Sequence, residues 1–204
     1  YKDVGTVNEI NGVLGYKSSL PMKKDGINHY NLFSPNFMLR YAPGHMRNIS
    51  DKGASLSYSN LYSLNKTTEI EDGLSAILGF DFKTKEKESG KEKLSLSFGQ
   101  VFNYEENKDM PTKSSLDQHR SDIVGEINYN FSEIGNIDYS FLMDKDFNAL
   151  NYQEISTELN FGRVEFNLNF LEEQEHVGTE RYASSGITLN YNDQNKLSFS
   201  TKKN

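Results

Sequence analysis

The sequence predicts an all-β fold, an antiparallel meander of about eleven strands, and three observations lead to that prediction. Apolar and polar residues alternate with a period of two along nearly the whole chain, as they do on half-buried strands. Aromatic residues, which favour strands, make up 12% of the 204 residues. Turn-forming segments separate the alternating runs, and no segment shows a convincing helical period.

Each predicted strand is one alternating run bounded by turn residues. The runs cover residues 10–20, 33–41, 56–64, 74–82, 94–102, 123–131, 137–143, 155–161, 164–170, 187–191 and 197–199. The connection around residues 104–119 is the longest, and those after residue 131 are as short as hairpin turns. Successive strands are therefore expected to pair antiparallel. Pro35 lacks an N–H group, so we expect a bulge or an interruption of the ladder there.

The composition excludes several classes of partner. The formal net charge is −7 and the lysines lie in short turn-like runs, so we find no concentrated basic face of the kind that binds nucleic acid. The absence of cysteine excludes disulfides and thiolate metal sites. No apolar run reaches the roughly 18 residues of a membrane helix. This does not exclude a membrane β-barrel, because the strands of such barrels are short and only half apolar.

Two architectures produce such alternation: a soluble sandwich with its apolar face inward, and a membrane barrel with its apolar face in lipid. Three features favour the barrel. The runs are long, their polar sides are rich in Ser, Asn, Glu and Arg, and aromatic residues recur near strand ends, as in an interfacial girdle. We therefore expect residues 1–204 to form an antiparallel transmembrane β-barrel wall within a single outer-membrane domain.

Side chains of such a wall alternate between lipid and lumen. The predicted lipid-facing residues are Phe33, Phe37, Leu39, Tyr41, Leu78, Phe80, Leu96, Phe98, Ile127, Tyr129, Phe141, Phe166, Leu168 and Leu189. The predicted lumen-facing residues are Arg40, Asp81, Glu126, Asn128, Glu158, Glu165 and Asn167. Because charge is costly on the lipid face and cheap in the lumen, we expect Phe37→Arg to impair barrel assembly and Arg40→Gln to be tolerated.

Backbone groups in lipid must be paired within the protein, so a membrane-spanning sheet cannot keep an open edge. Bacterial barrels have even numbers of strands, whereas this chain has about eleven. We therefore expect further strands outside these 204 residues, which makes the sequence an incomplete part of a larger barrel.

Several stretches resemble one protein family. "LFSPNFMLRYAPGHMRNIS", "LSLSFGQVFNYEE" and "SSLDQHRSDIVGEINYNF" are similar to the barrel region of the lipopolysaccharide (LPS) assembly family LptD, also called organic solvent tolerance protein. The similarity extends from about Glu9 to Lys203. It gives a family for the whole chain but carries over no functional residue.

The resemblance implies a large barrel in the outer membrane of a Gram-negative cell, with a periplasmic jelly-roll domain that this sequence lacks. It also implies several partners: LPS, a plug lipoprotein called LptE, periplasmic LPS-bridge proteins and outer-membrane lipid. In such a complex LPS arrives from the periplasmic bridge and leaves into the outer leaflet through a lateral gate, without covalent chemistry. A general porin or another outer-membrane transporter is the alternative.

The sequence offers little support for an enzyme. The four histidines lack the spacing of metal ligands and lie in or beside loops: His29, His45, His119 and His176. His119, Ser121 and Asp122 include the residue types of a nucleophilic triad, but adjacency in sequence is not triad geometry. A cap at the entry to a strand is the favoured interpretation of Ser121 and Asp122. We therefore expect no catalytic residue, no metal site and no cofactor.

The remaining charged residues leave two interpretations open. Acidic lumen residues could pair with Arg40, Arg120 or Arg163, or they could contact a plug protein. The carboxylates of Glu172, Glu173 and Glu175 could bind divalent cations, although a solvated hairpin tip is the simpler interpretation.

Overall fold

The computed structural model describes residues 11–52, 56–131, 133–174, 179–192 and 195–204, so the prediction for His176 lies outside the described residues. It contains eleven strands: β1 (Leu14–Ser19), β2 (Met22–Asp25), β3 (His29–Ala42), β4 (Gly73–Glu86), β5 (Glu92–Asn103), β6 (Ile123–Asn130), β7 (Gly135–Met143), β8 (Leu150–Asn160), β9 (Val164–Glu173), β10 (Glu180–Asn192) and β11 (Asn195–Lys203). A four-residue helix, α1 (Tyr58–Leu61), and a 3-10 turn (Lys113–Ser115) lie between strands.

The strands form one antiparallel sheet in the order β1-β3-β4-β5-β6-β7-β8-β9-β10-β11. β2 pairs with β3 beside β1, so that β1 and β2 share one edge and β11 forms the other. Within the described residues no pairing joins the two edges. The predicted all-β meander with consecutive antiparallel pairing is therefore confirmed.

The count of eleven strands agrees with the prediction only because two errors cancel. The run at residues 10–20 contains only β1, and β2 follows it as a strand that was not predicted. β1 and β2 are separated by Leu20 and Pro21, which lie opposite Pro35 and its neighbour Ser34. β3 stays continuous through Pro35, so the expected interruption lies in its neighbours. The N–H of Leu20 donates to the carbonyl of Pro35 at 3.1 Å, whereas Pro35 has no N–H to return.

The predicted strand at residues 56–64 is wrong, because this segment belongs to a connection and contains α1. The N–H of Ser57 donates to Oδ1 of Asn60 at 2.9 Å, a local bond that favours a helical turn over a ladder. As a consequence, the longest connection is residues 43–72 between β3 and β4. The connection predicted around residues 104–119 covers residues 104–122 between β5 and β6 and is shorter. We call these the β3–β4 connection and the β5–β6 connection.

The two ends of the sheet differ in the length of their connections. Both long connections leave the same end, because alternate connections of a meander lie at the same end. The opposite end carries short turns at residues 26–28, 87–91, 131–134 and 161–163. Outer-membrane barrels show the same division, with short periplasmic turns and longer extracellular loops.

The register gives the sheet two chemically distinct faces. Phe37 lies opposite Leu78, Phe80 opposite Phe98, and Phe141 opposite Gly125, and the same alternation continues across the sheet. All fourteen residues that were predicted to face lipid share this face, which we call the belt face. All seven residues predicted to face the lumen lie on the opposite face, which we call the polar face.

The hydrophobic core lies on the polar face, against expectation. The strands contribute Met38, Ile77, Val101, Val124 and Leu142, and the two long connections contribute Met46, Ile49, Leu56, Leu61, Met110 and Leu116. We expected this face to be polar along its whole length. Part of it is apolar and dry because the two connections fold back over β3–β7 and cover it.

Candidate functional site

The belt face is a largely apolar surface that is most exposed on β3 and β4, whereas Phe141 on β7 is only 8% exposed. Leu78, Leu39 and Phe37 are 48%, 42% and 36% exposed. Aromatic rings follow one another across neighbouring strands, with centroids 5.6 Å apart for Phe33 and Phe80 and 5.3 Å apart for Phe80 and Phe98. A surface of this kind on a folded protein marks contact with a partner or a membrane.

The two long connections form one cover over the polar face. Nδ2 of Asn48 donates to Oδ1 of Asp109 at 2.7 Å, and the N–H of Ile49 donates to the carbonyl of Asp109 at 2.8 Å. Asn107 donates to the side chain of Asp72, which ties the end of the β3–β4 connection to the start of the β5–β6 connection. The connections therefore support each other as well as the sheet.

Arg40 fixes the cover to β3. Its side chain is 1% exposed, and it donates from Nε to the carbonyl of Leu64 and from Nη2 to the carbonyl of Glu71. Nη2 also lies 3.5 Å from Oδ1 of Asn65. Arg40 therefore lies on the predicted face, but its strongest hydrogen bonds go to backbone carbonyls and not to acidic side chains. Its replacement would leave these carbonyls unpaired, so we no longer expect Arg40→Gln to be tolerated.

A buried ion pair stands beside Arg40. Nζ of Lys66 lies 3.4 Å from Oε2 of Glu71, and the two side chains are 0% and 7% exposed. Oε1 of Glu71 also accepts hydrogen bonds from the N–H groups of Lys66 and Thr67. Burial lowers the pKa of Lys66, and the charge of Glu71 opposes that change. The pair holds the segment before β4 in a closed turn.

Asp81, a predicted lumen-facing residue, anchors α1. Its carboxylate accepts from Nδ2 of Asn36 at 2.6 Å, from the hydroxyl of Tyr58 at 2.9 Å and from Oγ of Ser97 at 2.7 Å. Burial and this bond to Asp81 raise the pKa of Tyr58. Three neutral donors thus satisfy one carboxylate and join the helix to β3, β4 and β5.

Glycines on the polar face let the cover lie close to the sheet. Gly79 and Gly99 are paired on β4 and β5, beneath α1. A Cβ at Gly99 would overlap Cδ2 of Leu61, and one at Gly79 would overlap the carbonyl of Phe98 and the hydroxyl of Tyr62. Both positions therefore need a residue without a side chain.

Ser121 and Asp122 are fully buried and tie the β5–β6 connection to three strands. Oγ of Ser121 accepts from the N–H of Val101 at 3.0 Å and donates to the carbonyl of Asp122 at 2.7 Å. The carboxylate of Asp122 accepts from Oγ of Ser115 at 2.8 Å and from Nδ2 of Asn151 at 2.7 Å. These bonds support the interpretation of a cap at the entry to β6.

The histidine next to this pair does not complete a triad. Nδ1 of His119 lies 3.4 Å from the carbonyl of Asn103 on an exposed part of the connection. The hydroxyl of Ser121 is instead used by backbone groups. Among the described residues, no group of three or more His, Cys, Asp or Glu side chains is placed to hold a metal ion.

Away from the cover, carboxylates of the polar face pair with neutral amides. Nδ2 of Asn128 donates to Asp138 at 2.6 Å, and Nδ2 of Asn190 donates to Glu165 at 2.7 Å. Within the described part of the chain, the ion pairs with arginine that the sequence left open do not form at these carboxylates. Arg40 bonds carbonyls, and the guanidinium of Arg120 lies 3.3 Å from Asp146 in a connection.

The remaining residues that were predicted to face the lumen share the polar face, and one carboxylate of the acidic hairpin is already paired. Glu126, Glu158 and Asn167 lie on the polar face of β6, β8 and β9. Glu172 pairs with Arg181 at 2.6 Å and accepts from Gln153, so this carboxylate is not free for a cation, and Glu175 lies outside the described residues.

The sequence alternation did not lead us to predict the apolar patch of the polar face that lies beneath the cover. Its signal is a break in the alternation, where Ile77 follows Ala76 and precedes Leu78, and where Leu142 lies between Phe141 and Met143. An apolar residue at a polar-face position indicates that something covers it. Such a break is the pattern that could have predicted the inward connections.

The family model described as "LptD: LPS transport system D" matches residues 5–202. Twelve solved chains match the structure. One, a mutant of Rh. blastica porin, is 10% identical with a TM-score of 0.32, covering 99% of this chain and 89% of the porin.

No curated protein matches the sequence. Within the described residues, no helix is long and apolar enough to cross a membrane. The family match extends over nearly the whole chain and agrees with the antiparallel, two-faced sheet, so this chain belongs to the LptD family of the LPS transport system.

Proposed function

We propose that this chain forms part of the wall of a barrel that inserts LPS into the outer leaflet of a Gram-negative outer membrane. The observation that carries the proposal is the family match over residues 5–202. The sheet supports it, because a barrel wall needs exposed apolar side chains on one face and satisfied polar side chains on the other. In this proposal the belt face contacts lipid and the polar face lines the lumen.

The proposal assigns partners by their position relative to the wall. LPS is the cargo, and periplasmic bridge proteins deliver it. A plug lipoprotein of the LptE kind occupies the lumen against the polar face, and residues 1–204 lie within a single barrel domain. The protein moves lipid without covalent chemistry, so it acts as a transporter and not as an enzyme.

A pair of arginine substitutions on opposite faces tests the orientation. In a bacterium depleted of its own transporter, full-length protein with Phe37→Arg should fail to restore LPS at the cell surface. Arginine on a lipid face costs about 2–4 kcal/mol near the midplane, enough to impair assembly. Surface LPS would be measured by labelling whole cells, and barrel assembly by heat modifiability in gel electrophoresis.

Asn167→Arg is the matched control, since it introduces the same charge on the polar face. We expect this variant to assemble and to restore surface LPS, and Phe37→Leu to behave in the same way. Equal loss of assembly from Phe37→Arg and Asn167→Arg would contradict the orientation. Normal assembly of the unaltered protein without any rescue of surface LPS would contradict LPS insertion.

A general porin is the competing function, and the cover argues against it. A porin needs an open aqueous path, whereas the two long connections bury part of the polar face beneath Leu61, Met46 and Ile49. The geometry therefore favours a closed lumen in the resting protein.

A further inference from the structure

The short-turn end of the sheet gathers an excess of lysine. Residues 22–31 and 83–93 contain four carboxylates and seven lysines, in a chain whose net charge is −7. Antiparallel pairing of β2 with β3, β3 with β4 and β4 with β5 brings these segments together. Separate runs in the sequence thus become one basic edge, the lysine rim, formed by Lys23, Lys24, Lys83, Lys85, Lys87, Lys91 and Lys93.

The ion pairs of the lysine rim leave positive charge unbalanced. Lys83 and Lys85 share one oxygen of Glu92, at 3.1 Å and 3.8 Å. Lys23 and Lys87 likewise share one oxygen of Asp25, at 3.2 Å and 3.8 Å. Four ammonium groups therefore face two carboxylates.

The remaining three lysines of the rim are exposed. Lys24, Lys91 and Lys93 have no ion pair within the described part of the chain. Lys91 and Lys93 border an open depression of about 380 Å³ together with His29, Glu86, Glu92 and Asn130. A depression with two unpaired ammonium groups at its edge suits an anionic group the size of a phosphate.

The lysine rim adjoins the belt face at Lys24, whereas the register places Lys23, Lys83 and Lys85 on the polar side of the same edge. Lys24 lies opposite Asn31, and the next belt-face row contains Phe33 and its partner Phe82. If the belt face contacts acyl chains, as proposed above, the rim stands at the level of the lipid headgroups. Basic side chains at that level are attracted to anionic lipid.

We propose that the lysine rim binds the phosphate of anionic phospholipid headgroups in the leaflet on the short-turn side. Lys91 and Lys93 supply the direct contact, and the other rim lysines supply the surrounding positive potential. This proposal rests on the lipid contact of the belt face. Phospholipid suits the site better than free phosphate does, because the depression is open and only a lipid also gains from the neighbouring apolar surface.

Spin-labelled lipids test the proposal on the full-length protein. The protein would be reconstituted in phosphatidylcholine vesicles containing trace spin-labelled phosphatidylglycerol or phosphatidylcholine. We expect the motionally restricted component to favour phosphatidylglycerol by at least about fivefold, the contribution of a single lysine near an anionic surface. Lys91→Gln combined with Lys93→Gln should lower the ratio by about half or more, because the direct contacts are lost while the other rim lysines remain. A salt concentration of about 1 M, which screens all the exposed charges, should bring the ratio close to one.

The control removes the same charge from the opposite end of the sheet. Lys52→Gln combined with Lys108→Gln alters two exposed lysines of the long connections and should leave the ratio unchanged. Equal loss of preference in both double variants, or no preference in the unaltered protein, would overturn the lysine rim as the site. Loss of the preference when glycerol phosphate is added at no more than the concentration of the labelled lipid would overturn phospholipid as the ligand.

The same spectra separate this proposal from the proposed function. A motionally restricted component for either lipid reports contact between protein and acyl chains. Its absence would contradict the belt face as a lipid surface. Its presence with a ratio of one would contradict only the headgroup site.

Discussion

Single residues of the polar face hold backbone in place as much as they meet solvent. Arg40 and Asp81 were both predicted for this face, and both are committed to the cover: Arg40 through carbonyls and Asp81 through three neutral donors. A buried polar side chain with all its partners present stabilises one arrangement, whereas a half-satisfied one costs free energy. These two residues therefore specify where the cover lies.

Replacing Arg40 should make the folded protein less stable. We expect Arg40→Gln to lower the free energy of unfolding by about 2–4 kcal/mol, because a buried charged donor is lost and two carbonyls, that of Glu71 buried and that of Leu64 part-buried, lose their partner. Urea unfolding of the refolded full-length barrel, followed by tyrosine fluorescence and by gel mobility, would measure the change.

Arg181→Gln provides the comparison for Arg40. The side chain of Arg181 is 71% exposed in its pair with Glu172. An exposed pair contributes little, so this variant should change the free energy of unfolding by less than about 1 kcal/mol. Similar effects of the two substitutions would show that Arg40 does not anchor the cover.

At the scale of elements, the main feature is a long connection that contributes side chains to the hydrophobic core. The β3–β4 connection supplies Met46, Ile49, Leu56 and Leu61 to the hydrophobic cluster, while α1 rests on the paired glycines of β4 and β5. The helix can approach the sheet closely because Gly79 and Gly99 have no side chain. The connection is therefore part of the folded domain and not a surface loop.

Gly99→Ala should displace α1 without breaking the sheet. Its new methyl group would meet Cδ2 of Leu61, and we expect a destabilisation of about 1–3 kcal/mol from overpacking. Limited proteolysis of the folded barrel should then cut within the β3–β4 connection sooner than in the unaltered protein. Gly12→Ala, whose added carbon would meet no heavy atom of the described residues within 4 Å, should leave the cleavage rate unchanged.

The sequence predicts the belt face well and the cover poorly, for a physical reason. Alternation places Phe37, Leu78 and Phe98 on one face because strand side chains have a strict period of two. The segment from Leu56 to Leu64 alternates in the same way, yet it has no neighbouring strand to pair with and forms a turn of helix. Pairing partners are a long-range property, so a local pattern cannot distinguish these two cases.

The whole molecule is asymmetric from end to end as well as from face to face. One end carries the long connections and the cover, and the other carries short turns and the lysine rim. The basic end cannot be read from the composition, since the lysines of the rim are distributed over two separate segments of the sequence. Antiparallel pairing alone brings them to one end.

The cover should limit ion flow through the complete barrel. We expect replacement of residues 56–64 by a Gly-Ser linker of equal length to raise the single-channel conductance of the plug-free full-length protein, because it removes Leu56, Leu61 and α1 from the polar face. Planar-bilayer recording would measure the conductance. The same replacement at residues 144–149, a connection that adds nothing to the described core cluster, should have no effect.

An open channel in the unaltered plug-free protein, with the same conductance as the variant lacking residues 56–64, would contradict a closing role for the connection. It would also favour the porin interpretation over LPS insertion.

The pairing of carboxylates with amides has a consequence for permeation. Asn128 and Asn190 satisfy the hydrogen-bonding needs of Asp138 and Glu165 but cancel none of their charge. An arginine partner would neutralise each carboxylate, whereas an asparagine partner holds the carboxylate in place and leaves its charge. This surface therefore stays anionic. It should therefore admit cations more readily than anions, and any phosphorylated molecule moving along it would travel with its own counter-ions.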